Sequence, residues 1–160
     1  MADEALAAHS FLDGLAAEQL ERLSGIARQV RFAPGESIFR QRDVADGFYL
    51  LRKGSVKLEY EVPGQRRVEI QRIGAGELLG LSWLFPPSKW QFSATAIDAV
   101  EADFVPATAV RAHCARDPKL GYELMERIAK VLTERLQATR HKLLVFVERA
   151  SEHAGAQQIC

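Results

Sequence analysis

Cysteine is nearly absent from this 160-residue chain: Cys114 and Cys160 are the two that occur. Two cysteines make no disulfide framework, so the reading is a reducing compartment, the cytoplasm. An excess of charge of either sign is missing as well, since 21 Lys and Arg balance 21 Asp and Glu. A strong nucleic-acid footprint would show as a basic excess, so the expected partners do not include DNA or RNA. No apolar run approaches the roughly 20 residues of a membrane span. The opening MADEALAAHSFLDG carries acidic residues and no long apolar core, unlike a secretory signal. Histidine is sparse and scattered at His9, His113, His141 and His153. His113 and Cys114 are neighbours, and neighbours on a helix face different ways, so no metal site and no cofactor is expected. What remains, 48% hydrophobic and 26% charged residues, is ordinary for one soluble globular domain with an appended helix.

The pattern changes period along the chain. Between residues 16 and 27, Leu20, Leu23 and Ile26 recur at helical spacing with Glu18, Glu21 and Arg22 outside, which predicts a short amphipathic helix. After the Pro34-Gly35 turn the alternation becomes that of strands. Val56, Leu58, Tyr60 and Val62 alternate with Lys57, Glu59 and Glu61. Pro63-Gly64 turns the chain, and Val68 and Ile70 return against Arg67, Glu69 and Gln71. That predicts a hairpin with one buried face. Phe48 to Leu51 is a short apolar strand, and residues 94–105 supply the last ones. Short strands punctuated by glycine, with no helices between them, predict an antiparallel β-barrel or jelly roll flanked by helices, a mixed α+β fold.

Helix returns after Pro106, first over residues 107–116. Asp117-Pro118 then reads as an N-cap followed by proline at the first helical position. Pro118 is the last proline, so a long helix over about 118–147 is expected to close a domain that begins at residue 10, with 148–160 as a polar tail. Leu132, Leu136, Thr139, Leu143 and Phe146 step by four, three, four and three, a heptad seam. The seam points to a homodimer.

Two stretches carry a family resemblance. The first runs from Pro34-Gly35-Glu36 through Phe48-Tyr49-Leu50-Leu51 to Gly54 and Val56. The second is the cassette between Gly74 and Val100, where Gly76, Glu77 and Gly80 precede a short apolar segment and Ser93, Ala94 and Thr95 close it. Together they resemble the cyclic nucleotide-binding domain family, over about two thirds of the chain, and the resemblance implies that family's regulatory, non-catalytic role. It also implies a ligand pocket at Gly76, Glu77, Leu79, Gly80, Leu81, Ser82, Lys89, Phe92, Ser93, Ala94 and Thr139. In that family the position of Leu81 holds a ribose-binding Glu and the position of Phe92 a phosphate-binding Arg. Neither survives here. A guanidinium fork answers two phosphate oxygens at once, and losing such a partner costs about 2–5 kcal/mol. The cassette therefore looks degenerate toward cyclic AMP and cyclic GMP.

Several readings stay open from sequence. Lys89 and Thr139 could substitute for the lost contacts and keep a true cyclic nucleotide receptor. The aromatics Trp83, Phe85, Trp90 and Phe92 either fill the volume of a nucleotide or line a pocket for a flat apolar ligand; packing is the preferred reading. Arg66, Arg67 and Arg72 read as a solvated hairpin face, and Ser82 as a cap of the cassette helix. Members of the family that read DNA continue into a winged helix-turn-helix, for which the residues from 149 to 160 are too few. The chain is thus expected to be a regulatory sensor or adaptor for a protein partner or a non-standard small ligand. The alternative is the effector half of a transcription regulator.

Overall fold

The computed structural model describes residues 4–157. The chain divides into two units, one through Gly121 and one from Tyr122 onward. The first begins with a short helix α1 (Glu4–Ala7), a 3₁₀ turn (Ser10–Leu12) and helix α2 (Ala17–Ile26). Leu23 of α2 is buried, the anchor its spacing called for, and the Gln19 side chain accepts a hydrogen bond from the Ala16 N–H at the helix start. Leu6, Phe11, Leu12 and Leu15 are buried too. The folded part therefore starts ahead of residue 10, the boundary expected from sequence, because alanine-rich flanks hid the apolar anchor Leu6.

Eight strands follow: β1 (Arg28–Phe32), β2 (Ser37–Phe39), β3 (Gly47–Lys53), β4 (Val56–Glu61), β5 (Arg67–Ile73), β6 (Leu78–Leu79), β7 (Ser93–Ala96) and β8 (Val100–Pro106). They form two four-stranded antiparallel sheets, ordered β1-β8-β3-β6 and β2-β7-β4-β5. The jelly-roll reading holds, whereas the closed barrel does not: the strands end in two separate sheets. Tyr49, Leu51, Leu79 and Phe104 from one sheet and Val56, Leu58, Ile73 and Ala94 from the other make one buried cluster. Helix α3 (Ala107–Arg116) comes after β8. On β8, Asp103, only 2% exposed, takes two hydrogen bonds from Arg52 at 2.5 and 2.6 Å. A buried carboxylate needs such a pairing to offset its desolvation.

The β4–β5 hairpin departs from the simple alternation. A register shift between Leu58 and Glu59 pairs Leu58 with Gln71 and Glu59 with Glu69, which leaves Ile70 as the extra residue of a bulge. A one-residue insertion reverses which face each later side chain takes. Gln71, expected outside, thus shares the face of buried Leu58. Past the bulge, Tyr60, Val68 and Ile70 are 41%, 48% and 38% exposed. The expected buried face covers only half of the hairpin.

Helix α4 (Pro118–Gln157) leads out of the first unit. The Asp117 carboxylate accepts from the Leu120 N–H at its start, as the Asp-Pro pair implied. The helix does not stop near residue 147: residues 148–157 continue it. Residues 148–155 are exposed, as their polarity implies, and no proline interrupts the run. In the second unit Leu132, Leu136, Leu143, Leu144, Phe146 and Val147 are all at least 46% exposed.

Candidate functional site

The cassette begins at a turn between β5 and β6. The Gly74 N–H donates to the Glu77 carboxylate at 2.5 Å, and Gly76, at φ +86°, donates its N–H to the Leu51 carbonyl at 2.8 Å. Glu77 is exposed and spends its carboxylate on closing this turn. Leu79 is 1% exposed and sits in the core cluster, so it lines no pocket, contrary to the sequence reading. A residue paired with Tyr49 on β3 must face the interior.

Gly80 adopts φ +101°, and a Cβ there would meet two atoms of the Trp90 indole at 2.8 Å. Trp90 is 4% exposed and stacks on Phe39 with centroids 3.7 Å apart, so it cannot yield. Gly80→Ala is therefore expected to cost about 3 kcal/mol, from a left-handed backbone and an overpacked ring together. A lower urea midpoint with an unchanged slope would register it; an unchanged midpoint would mean that the indole moves freely.

Leu81 is half-buried and precedes a 3₁₀ turn, Ser82–Leu84. It is Leu81, not Ser82, that stands at the cap position, and no side chain caps the turn. Ser82 instead accepts from the Gln91 N–H at 3.3 Å, pinning the two ends of the loop. Trp83 is buried against Phe48, donates to the Gly80 carbonyl, and lies under the Arg111 guanidinium. The four aromatics thus divide. Trp83 and Trp90 are core, whereas Phe85 is 75% exposed and Phe92 36%. The Lys89 backbone bridges to Val44.

The last part of the cassette holds the decisive chemistry. Ser93 is 1% exposed. Its hydroxyl accepts from the Gln41 N–H at 2.9 Å and donates to the Glu61 carboxylate at 3.2 Å. The Gln41 side chain in turn accepts from the Glu61 N–H at 2.7 Å, and Arg67 pairs with Glu61 at 2.8 Å. A serine hydroxyl has one hydrogen, and this one is given to a carboxylate. Beside it Phe92 meets the edge of Tyr60, with ring centroids 6.1 Å apart. Ala94 is fully buried opposite Leu58. Of the sequence-predicted residues, Ser82 is tied to the Phe92–Ser93 end of the loop through the Gln91 N–H, whereas Gly76 and Glu77 shape the turn before β6.

Thr139 belongs to the second unit, where its hydroxyl donates to the Arg135 carbonyl at 2.9 Å. Gln41, Tyr60 and Glu61 were not read from sequence as site residues. Their signal was indirect: a buried serine must have partners, and the hairpin register that supplies one is hidden by the bulge. Arg67 and Arg72 face carboxylates, Glu61 and Glu69, which fits a solvated hairpin face. Burial pushes the Cys114 thiol up from its usual range, aided by Asp117, so it stays protonated and unreactive.

The comparisons agree with this architecture. The cyclic nucleotide-binding domain family matches residues 29–117. A CRP-like cAMP-activated global transcriptional regulator of Mycobacterium tuberculosis is 28% identical over 148 residues, covering 91% of this chain and 64% of the regulator. The chain thus spans somewhat less than two thirds of that relative. A candidate cyclic nucleotide-binding protein of Geobacter metallireducens, 27% identical, superposes with a TM-score of 0.75 over 85% of this chain and 98% of its own. A cyclic nucleotide-binding domain from Methylobacillus flagellatus shares the fold at TM-score 0.78 and 20% identity, over 88% of this chain and 82% of that one. With the family matched over more than half its length, on a jelly roll that keeps the cassette's glycine turns, the chain belongs to the cyclic nucleotide-binding domain family.

Proposed function

We propose that this chain is a regulatory module whose cassette has exchanged phosphate recognition for another input, a protein partner or an uncharged small molecule, and which pairs with a second copy through α4. The observation that carries the reading is the commitment of Ser93 to Glu61. An incoming cyclic phosphate would find no guanidinium at position 92, no ribose acceptor at Leu81, and a carboxylate that already holds both the serine hydrogen and the Arg67 guanidinium. The first and the last disfavour an anion, because a phosphate leaving water must have its charge answered by donors or cations, and the second leaves a ribose hydroxyl without an acceptor. The exposed apolar rings of Tyr60 and Phe92 support an input that is flat or apolar.

Several curated relatives are named as regulators, which supports a regulatory reading without catalysis. Among the described residues no helix is long and apolar enough to cross a membrane. Native mass spectrometry of freshly purified protein tests the proposal, because it reads subunit number and retained ligand together. A dimer without nucleotide is the expected result, and co-purified cyclic nucleotide would overturn it. This chain alone, with zero formal net charge, is also expected to shift no DNA fragment in a gel at about 150 mM salt. A shift that survives that salt would contradict the reading.

A further inference from the structure

A closed ring of hydrogen bonds joins the N-terminal segment to the cassette. His9 is 6% exposed, and its Nε2–H donates to the Leu51 carbonyl at 2.9 Å. The same carbonyl takes the Gly76 N–H at 2.8 Å, and the Gly76 carbonyl takes the Ser10 hydroxyl at 2.9 Å. The other ring nitrogen, Nδ1, accepts from the Phe11 N–H at 3.2 Å. Only one neutral tautomer satisfies both contacts. An imidazolium, with a proton on each nitrogen, would set an N–H against the Phe11 N–H.

We propose that residues 4–15 form a proton-released latch, in which protonation of His9 opens this ring and frees the segment from Gly76 in the first turn of the cassette. The hinge is at Gly14, which holds φ +85° where the segment meets α2. The groups that face His9 fit the proposal. Asp103 on β8 and Asp13 beyond the 3₁₀ turn favour a charged ring, and Arg52 on β3 opposes it. Asp103 is already taken by Arg52 through two short hydrogen bonds, which leaves it little to offer an imidazolium. Burial is the largest influence and holds the ring's pKa below its ordinary 6.5.

Acid therefore drives release, and alkali does not. Above the ordinary value both latched and released forms are neutral, and burial of Leu6, Phe11 and Leu12 keeps the latch shut. Below it the released form takes up a proton that the latched form refuses. The released fraction then rises about tenfold per pH unit until the buried ring itself titrates. Because Gly76 is part of the ring, whatever orders the cassette turn must resist release to the same degree.

Amide hydrogen exchange by NMR on the full chain, corrected for intrinsic rates, tests this between about pH 7.5 and pH 5, with the His9 ring signals followed in the same samples. Protection at Phe11 and Gly76 should fall about tenfold per pH unit below about 6.5, while β3 and β8 amides keep theirs. His9→Gln, which retains a donor for Leu51 but nothing that titrates, should lose this pH dependence. Three results would overturn the latch: protection that stays flat while His9 titrates, an equal fall across β3 and β8, or an equal fall in His9→Gln. Should His9→Gln fail to fold, the wild type decides alone, since protection must begin to fall near the ordinary value and level off where the His9 ring signals titrate.

Discussion

Replacing Leu81 with Glu and Phe92 with Arg together is expected to turn a chain that gives no calorimetric signal with cyclic AMP into a micromolar binder. Each change restores one charged hydrogen-bonding group, worth about 2 kcal/mol to a fitting ligand. Together they amount to about 4 kcal/mol, or about a thousandfold in affinity. The structure adds a condition. A guanidinium at position 92 would stand beside Glu61, 3.2 Å from the Ser93 hydroxyl, and its first partner would be that carboxylate. Adding Glu61→Gln removes the competing charge, keeps an oxygen for Ser93 to donate to, and releases Arg67 from its ion pair. The triple variant should therefore bind at least about tenfold more tightly than the double. Either single change should do much less, because a charge placed in a half-buried site without its partner costs stability. Tight binding by the wild type would sink the proposal. A well-folded triple variant that still ignores the nucleotide would show that the cassette is closed by more than these three side chains.

Leu136→Asp is expected to convert a dimer to monomers in sedimentation equilibrium. In the single chain Leu136 is 51% exposed, in line with Leu132, Leu143 and Phe146. Covering a leucine is worth about 1.5–3 kcal/mol, and two-fold symmetry loses it twice, so about 3–6 kcal/mol of association free energy is at stake. The aspartate adds a charge to the seam, where coiled coils tolerate few. A surface position such as Gln137→Asp should leave the assembly unchanged. If Leu136→Asp still sediments as a dimer, the two copies meet through another surface.

The resemblance carried the cassette and the jelly roll because glycine turns and short apolar strands leave a local trace. Helix α3 was legible from Pro106 and Asp117-Pro118, which bracket it. The cassette's first half was legible for the same reason: Gly76 and Gly80 both hold positive φ. Its second half was not. Whether Ser93 serves a ligand or the protein depends on Gln41 and Glu61, which are 52 and 32 residues away in sequence. A bulge decides which of the hairpin's side chains face inward, and nothing in the alternation of residues 67–73 announces it. Helix α4 was foreseen but ended too early, since polarity was taken for an end when only proline or glycine could have provided one. Gly155 comes too late to do so.

The bulge at Ile70 has a bearing on how this protein stays dispersed. β5 is the outermost strand of its sheet, and Val68 and Ile70 lie open on it. A seven-residue rim of that kind, if straight, would offer a foreign strand a continuous row of unpaired amides and carbonyls, the usual seed of sheet-to-sheet growth. The extra residue interrupts the row midway, so a docking strand could match the rim on one side of Ile70 only. Glu69 and Arg72, joined at 2.5 Å, place a hydrated ion pair astride the same interruption. The irregularity that hid the hairpin's inner face from the sequence thus also guards the sheet's open border against its own kind.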